Sequence, residues 1–248
     1  MILRNFFITA FIIIFTVSCG QPDQEWNSYG LDLSNQRFSK ITQINKTNVE
    51  TLEMAWQVQT GVPATFQSTP IVHEGVMFVS LPFNNVLALD AKTGNEIWRY
   101  EHDLNPNWKL CCGPSNRGVA LQGKQLFFGT VDARLISLNI KTGEKIWDIN
   151  VVKNNVETES ISDLDESDAN SDKQISGGTG VGISMAPVVY NGKVIIGITG
   201  VGYGLHVEEE GANTPLGAVV GVSGKYGRSG FLAAYDIHSG QQIWQFNT

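Results

Sequence analysis

Ala88-Leu-Asp-Ala-Lys-Thr-Gly94-Asn-Glu-Ile-Trp98 occurs three times in this chain in recognisable form. The second copy is Ser137-Leu-Asn-Ile-Lys-Thr-Gly143-Glu-Lys-Ile-Trp147, and the third is Ala234-Tyr-Asp-Ile-His-Ser-Gly240-Gln-Gln-Ile-Trp244. The step from Asp or Asn to Trp is eight residues each time. A second phrase precedes each copy. Pro70-Ile-Val-His-Glu-Gly75-Val-Met-Phe-Val corresponds to Pro187-Val-Val-Tyr-Asn-Gly192-Lys-Val-Ile-Ile, with Gly118-Val-Ala-Leu-Gln-Gly123-Lys-Gln-Leu-Phe-Phe between them. Short β-branched and aromatic runs separated by glycine turns read as hairpins. Each unit therefore reads strand, Gly turn, strand, strand, Thr-Gly or Ser-Gly turn, strand. Four short strands in about 45 residues is the pattern of a β-propeller blade. The fold expected is all-β, a propeller of about three blades, and the recurrent Trp is placed to pack between neighbours.

Three blades do not close a ring, because propellers use roughly four to eight. The expectation is an incomplete ring, the N-terminal portion of something about twice as long. The first two units are compact. Gly75 to Asp90 is 15 residues and Gly123 to Asn139 is 16, whereas Gly192 to Asp236 is 44. Insertions are read at 203–227 and 153–176. The second is polar and lacks aromatic residues, as a solvated loop does.

The 248 residues carry 24 Asp and Glu against 17 Lys and Arg, a formal net charge of −7. Seven of the acids lie between Glu157 and Asp172, and without them the charge balances. The acidity is one loop rather than a field. It gives no basic footprint for nucleic acid. Asp163, Asp165 and Asp168 lack the Gly and Glu of a calcium-binding helix–loop–helix. The glycines at 177, 178, 180 and 182 lack the Lys-Ser/Thr of a phosphate loop. The four histidines show no metal-ligand spacing.

Arg4 and the apolar run Phe6–Phe15 read as a signal peptide over 1–18. Ten residues span about 15 Å as a helix, half of a bilayer core. Thr16-Val17-Ser18-Cys19-Gly20 resembles a bacterial lipoprotein box. Its implication is a lipid on Cys19 and a membrane-anchored, periplasm-facing protein. An ordinary signal peptide followed by a chance cysteine is the other reading. Beyond it come an N-terminal lead-in segment over 19–66 and the partial propeller over 67–248.

Cys111-Cys112-Gly113-Pro114-Ser115-Asn116-Arg117-Gly118 is the stretch most laden with chemistry. Neighbouring Cα atoms lie about 3.8 Å apart, below the usual disulfide span. A bridge there forms a strained ring, a flat platform for a planar ligand, with Arg117 in reach of that ligand's carboxylates. Two free thiols, or one paired elsewhere, are equally compatible with the pattern.

With this motif the chain resembles the quinoprotein alcohol and glucose dehydrogenases, which use pyrroloquinoline quinone (PQQ). The resemblance spans nearly the whole mature chain. It rests on Trp26, Tyr29-Gly30, Asn35-Gln36-Arg37-Phe38-Ser39, Ile44-Asn45, Asn48-Val49 and Trp56. It continues through Thr69-Pro70, the Cys-Cys…Asn-Arg-Gly motif, Gly129-Thr130…Asp132-Ala133-Arg134-Leu135 and Arg228-Ser-Gly-Phe231-Leu-Ala-Ala-Tyr-Asp236.

What the resemblance implies is an eight-bladed propeller with PQQ in its channel, stacked on a vicinal disulfide of Cys111 and Cys112. Arg117 falls at a position that contacts the carboxylate side of the quinone. Ser184, Thr199 and Gly200 fall at further cofactor contacts. Gln67 stands where many members carry Glu. The usual Glu ligand of a Ca²⁺ ion corresponds to Gly202, with Glu208, Glu209 and Glu210 as possible substitutes. The family's catalytic Asp belongs to later blades, so no catalytic residue is expected within these 248 residues, nor dehydrogenase activity from them alone. The implied reaction oxidises an alcohol or sugar hydroxyl, Ca²⁺ polarising the quinone, and passes electrons to a membrane quinone or cytochrome. The competing reading is a non-enzymatic propeller lipoprotein serving as an envelope scaffold, which would not need Cys111, Cys112 or Arg117.

Overall fold

A computed structural model describes residues 25–104, 114–152, 174–176, 182–198, 206–208 and 230–248. Cys19, Cys111, Cys112, Thr199, Gly200 and Gly202 lie outside them. The chain is all-β, three four-stranded antiparallel sheets in an unclosed propeller arrangement. The first sheet runs β1 (Ile71–His73), β2 (Val76–Ser80), β3 (Val86–Asp90) and β4 (Glu96–Tyr100), paired in that order. The second is β5 (Ala120–Gln122), β6 (Gln125–Gly129), β7 (Arg134–Asn139) and β8 (Lys145–Asn150). Between it and the third sheet comes β9 (Gln174–Ser176). The third sheet is β10 (Val188–Tyr190), β11 (Lys193–Ile198), β13 (Phe231–Asp236) and β14 (Gln242–Asn247). The stretch between β11 and β13 carries β12 (His206–Glu208), which pairs with β9. Ile175 stands opposite Val207 in that ladder, so the ends of the two inserted stretches are joined by a pair of strands. Each is a single β-branched residue between polar ones, a pattern too short to stand out in polar surroundings.

Every sheet repeats one local design. Asp90 Oδ1 accepts hydrogen bonds from the Lys92 and Thr93 amides, and Asp236 Oδ1 from those of His238 and Ser239. Asn139 Oδ1 does the same for Lys141 and Thr142. This is why Asp and Asn alternate at one repeat position, since the turn needs only a short side-chain acceptor. The Thr93 hydroxyl, with the Thr93 and Lys92 amides, holds the Asp90 carboxyl below the ordinary value, and the Ser239 amide and hydroxyl do the same for Asp236. One small residue then faces each Trp across the ladder: Ala88 opposite Trp98, Ser137 opposite Trp147, Ala234 opposite Trp244. A register shift follows each of these small residues. An irregularity of that kind bends the strand and re-aims the indole.

The re-aimed indoles join neighbouring sheets. Trp98 Nε1 donates to the Ile140 carbonyl at 3.0 Å, and Trp147 Nε1 to that of Ile237 at 2.9 Å. Trp56, before the first sheet, makes the equivalent bond to Ala91 at 3.1 Å. Each ring lies over the turn glycine of the next unit. A Cβ on Gly94 would come 2.7 Å from Trp56, and one on Gly143 2.6 Å from Trp98. The turn glycines at 94, 143 and 240 also have φ near +70°, where a Cβ is strained. Packing between units by the recurrent Trp, expected from the sequence, is what the structure has.

The core lies between the sheets. One cluster, including Phe78, Trp98, Leu126, Phe128 and Ile136, fills the space between the first two. Another, including Phe127, Leu135, Ile183, Ile196 and Tyr235, fills the next. Leu126 and Phe128 thus face one neighbour and Phe127 the other. A sheet buried on both faces reads as an unbroken apolar run.

Candidate functional site

The Trp–glycine joints occupy one end of the sheets. The opposite end gathers the chain just before β1, β5 and β10, together with the β2–β3 and β6–β7 turns. Asn116-Arg117-Gly118 sits here, immediately before β5. Asn116 is buried, and its Nδ2 donates to the Gly129 carbonyl at 2.7 Å. Its Oδ1 accepts from the Gly118 amide at 3.0 Å. The Asn116 side chain therefore fixes the backbone on both sides of Arg117. Gly118 has φ +145°, and a Cβ there would press on Ala186 at 3.3 Å and on the Thr69 carbonyl at 3.4 Å.

Arg117 is held by two other units. The Thr69 amide donates to its carbonyl at 3.1 Å, and its own amide donates to the Ser184 carbonyl at 3.1 Å. Its Nη1 donates to Ser184 Oγ at 2.7 Å. The guanidinium stays exposed, a charge on a fixed backbone with donors left for a ligand. Of the residues singled out from the sequence, the structure thus brings Arg117 and Ser184 into direct contact. Gln67 is exposed, two residues before Thr69.

A cleft of about 390 Å³ opens beside Arg117, lined among others by Tyr29, Gly30, Met185, Ala186 and Pro187. Its wall is mostly apolar, with Arg117 and Asp32 as its charged groups. The Arg37 guanidinium stacks on the Tyr29 ring, its Cζ 4.5 Å from the centroid. Hydrogen bonding to Arg37 is first among the influences that hold the Tyr29 phenol below the ordinary tyrosine value, against burial. The charge of Arg37, the Thr69 hydroxyl and the Arg117 charge act in the same direction. The Tyr-Gly…Arg phrase was visible in the sequence, but not that it folds against Arg117.

A second polar group at this end joins Asp132, part of the family-like phrase, to His102, a pairing the sequence did not signal. His102 Nε2 sits 3.0 Å from both carboxylate oxygens of Asp132, with side chains 5% and 13% exposed. Burial pushes the Asp132 carboxyl up, but the His102 bond and charge, with Thr130, outweigh it and leave it below the ordinary value. Tyr100 beside them is pushed up to about 12, chiefly by burial and then by Asp148 and Asp132. Asn84 and Asn85 brace the same junction. Asn84 Oδ1 accepts from the Val131 amide at 3.1 Å and Asn85 Oδ1 from the His102 amide at 2.9 Å. The residues of the pair are 30 apart and in different units. No spacing rule connects them.

Among the described residues, no three His, Cys, Asp or Glu side chains gather as a metal site. No helix among them is long and apolar enough to cross a membrane.

Residues 26–248 match the family model described as PQQ, glucose/ethanol/alcohol dehydrogenase, beta-propeller domain. The quinohemoprotein alcohol dehydrogenase ADH IIB of Pseudomonas putida is 33% identical over 230 residues, 92% of this chain and 27% of that protein. The crystal structure of quinohemoprotein alcohol dehydrogenase from Comamonas testosteroni superposes with a TM-score of 0.68 at 30% identity. It covers 91% of this chain and 27% of its own. A europium-containing methanol dehydrogenase gives a TM-score of 0.66 at 26% identity, with 91% and 32% covered. The chain spans about a quarter to a third of the length of these relatives.

Proposed function

Since the chain belongs to the PQQ-dependent glucose/ethanol/alcohol dehydrogenase β-propeller family, we propose that it forms the cofactor-holding wall of a quinoprotein dehydrogenase. The substrate is an alcohol or sugar hydroxyl. The electrons leave to a membrane quinone or a cytochrome. The observation that carries this reading is Arg117, its backbone held by Thr69 and Ser184 and its exposed guanidinium bonded to the Ser184 hydroxyl.

The described residues fit a planar, carboxylate-bearing cofactor. A fixed guanidinium pairs with carboxylates in a fork geometry, and the apolar wall beside it suits a flat ring system. PQQ, when bound, supplies a two-electron acceptor. The protein's part is to hold it. Arg117 pairs with a carboxylate, and the Ser184 hydroxyl, after accepting from Arg117, keeps its own proton for a further bond. Gln67, Thr199 and Gly200 supply neutral contacts, and a vicinal Cys111–Cys112 disulfide supplies the stacking surface. Ca²⁺ requires a cage of oxygen ligands. Among the described residues no three His, Cys, Asp or Glu side chains gather to form one. The further parts of the reading are a signal peptide over 1–18, a lipid on Cys19 facing the periplasm, a lead-in over 19–66 and the partial propeller over 67–248.

The test is titration of the full-length gene product with PQQ, followed by tryptophan fluorescence. Wild type binds. Arg117→Gln weakens binding about 10- to 100-fold, as loss of a charged hydrogen bond does, and Cys111→Ser weakens it too. Absence of PQQ binding by the wild type overturns the reading.

A further inference from the structure

We infer that Tyr29 is a positioning residue for Arg117, and that Arg37 holds Tyr29 in that role. The inference rests on the proposal that Arg117 meets the cofactor's carboxylates.

The lead-in segment is built around this contact. Trp26 pairs with Val72, each amide donating to the other's carbonyl at 3.0 Å, so residues 25–28 lie alongside β1. The chain then folds back on itself. The Leu31 amide donates to Ser28, that of Asn35 to Asp32, and that of Arg37 to the Gly30 carbonyl at 3.2 Å. Gly30 is required, because any Cβ there would run into the Asn35 side chain. Leu31, Asn35 and Arg37 have φ of 77°, 54° and 55°. Three non-glycine residues in the left-handed region are unfavourable. What this backbone accomplishes is to return Arg37 to the face of Tyr29.

Tyr29 in turn meets the Arg117 segment. Its ring lies 3.9 Å from where a Cβ of Gly118 would stand. The Thr69 side chain also acts to lower the Tyr29 phenol pKa, and the Thr69 amide holds the Arg117 carbonyl. Tyr29 and Arg117 line the same cleft. The Tyr29 ring engages the Arg37 guanidinium at 4.5 Å, and Arg117 is left for the ligand.

The arrangement has a pH signature. The charged groups about the Tyr29 phenol are Arg37 on its own loop and Arg117 before β5, with Asp32, also on that loop, among the cleft's lining. Ionisation of Tyr29 places a negative charge beside Arg117, and that charge competes with the ligand's carboxylates. Affinity for PQQ therefore falls as Tyr29 deprotonates, at a pH below that of an ordinary tyrosine.

The experiment is PQQ titration of the full-length gene product, read by fluorescence at neutral pH and across an alkaline series, with thermal unfolding as the check on folding. Tyr29→Phe keeps the ring and removes the hydroxyl. It should bind about 3- to 10-fold more weakly, the worth of one net hydrogen bond, and should lose the alkaline fall. Arg37→Gln should move that fall to higher pH. A purely structural role would not move it. Tyr29→Phe with wild-type affinity and an intact alkaline fall, while Arg117→Gln is strongly weakened, overturns the inference and leaves the cofactor reading standing. Unaltered binding by Arg117→Gln overturns both. If Tyr29→Phe does not fold, Arg37→Gln decides, and an unmoved alkaline fall overturns the inference.

Discussion

Gly143→Ala should cost far more than the loss of glycine's freedom. The residue has φ +72°, and its added Cβ would stand 2.6 Å from Cε3 and 2.8 Å from Cδ2 of Trp98. The ring cannot retreat freely, because Nε1 is bonded to the Ile140 carbonyl at 3.0 Å and the indole packs on Phe78. Overpacking of this kind costs about 1–3 kcal/mol. Losing the indole hydrogen bond if the ring does shift adds about 1 kcal/mol. Gly192→Ala is the control. Its φ is +70° and nothing lies within 4 Å of a Cβ there. The backbone strain and the unfolded-state entropy, about 1 kcal/mol each and opposed in sign, are then common to both variants. The difference should be about 2–4 kcal/mol, read by urea unfolding followed through tryptophan fluorescence. In a Trp98→Ala background the penalty at Gly143 should fall to that at Gly192, since the clashing ring is gone. If the two glycine variants lie within about 0.5 kcal/mol of one another, the Trp–glycine joint is not what couples the sheets.

Two other outcomes follow from the polar end of the sheets. Asn116→Ala removes two buried hydrogen bonds and strands the Gly129 carbonyl and the Gly118 amide. It should cost about 2–4 kcal/mol, measured by the same unfolding assay, and a cost under about 0.5 kcal/mol would refute this account of the motif. The Asp132 carboxyl is held below the ordinary value of 3.8, so its stabilisation is present above 3.8 and lost as pH falls through the lowered value. The stability gap between wild type and Asp132→Asn should therefore narrow as pH falls below 3.8 and through the lowered value, and a constant gap would contradict the pairing with His102.

The blade repeat was legible because its determinants are local. A short acceptor at 90, 139 and 236, a glycine four residues on, and a Trp four beyond that all act within one turn and its hairpin. The same local chemistry therefore leaves the same letters each time. That Asp and Asn interchange, and that Ala or Ser faces the Trp, were visible as letters but not as causes. The Trp56 joint was harder to see, because Trp56 lacks the preceding turn and strand that mark the other copies.

From its sequence alone the chain declared four-stranded units, their number and their linkage by Trp. It also declared the Asn-Arg-Gly motif as the place to look for a ligand. Hydrogen-bonded turns and side-chain alternation repeat over a few residues, so they are encoded where they act. Only the tertiary structure decided which groups surround Arg117. Tyr29, Thr69 and Ser184 reach it from three separate segments, Ser184 from 67 residues away. The same holds for His102 and Asp132. Such contacts depend on how successive sheets stack, and stacking is fixed by the summed packing of two interior layers rather than by any single run of residues.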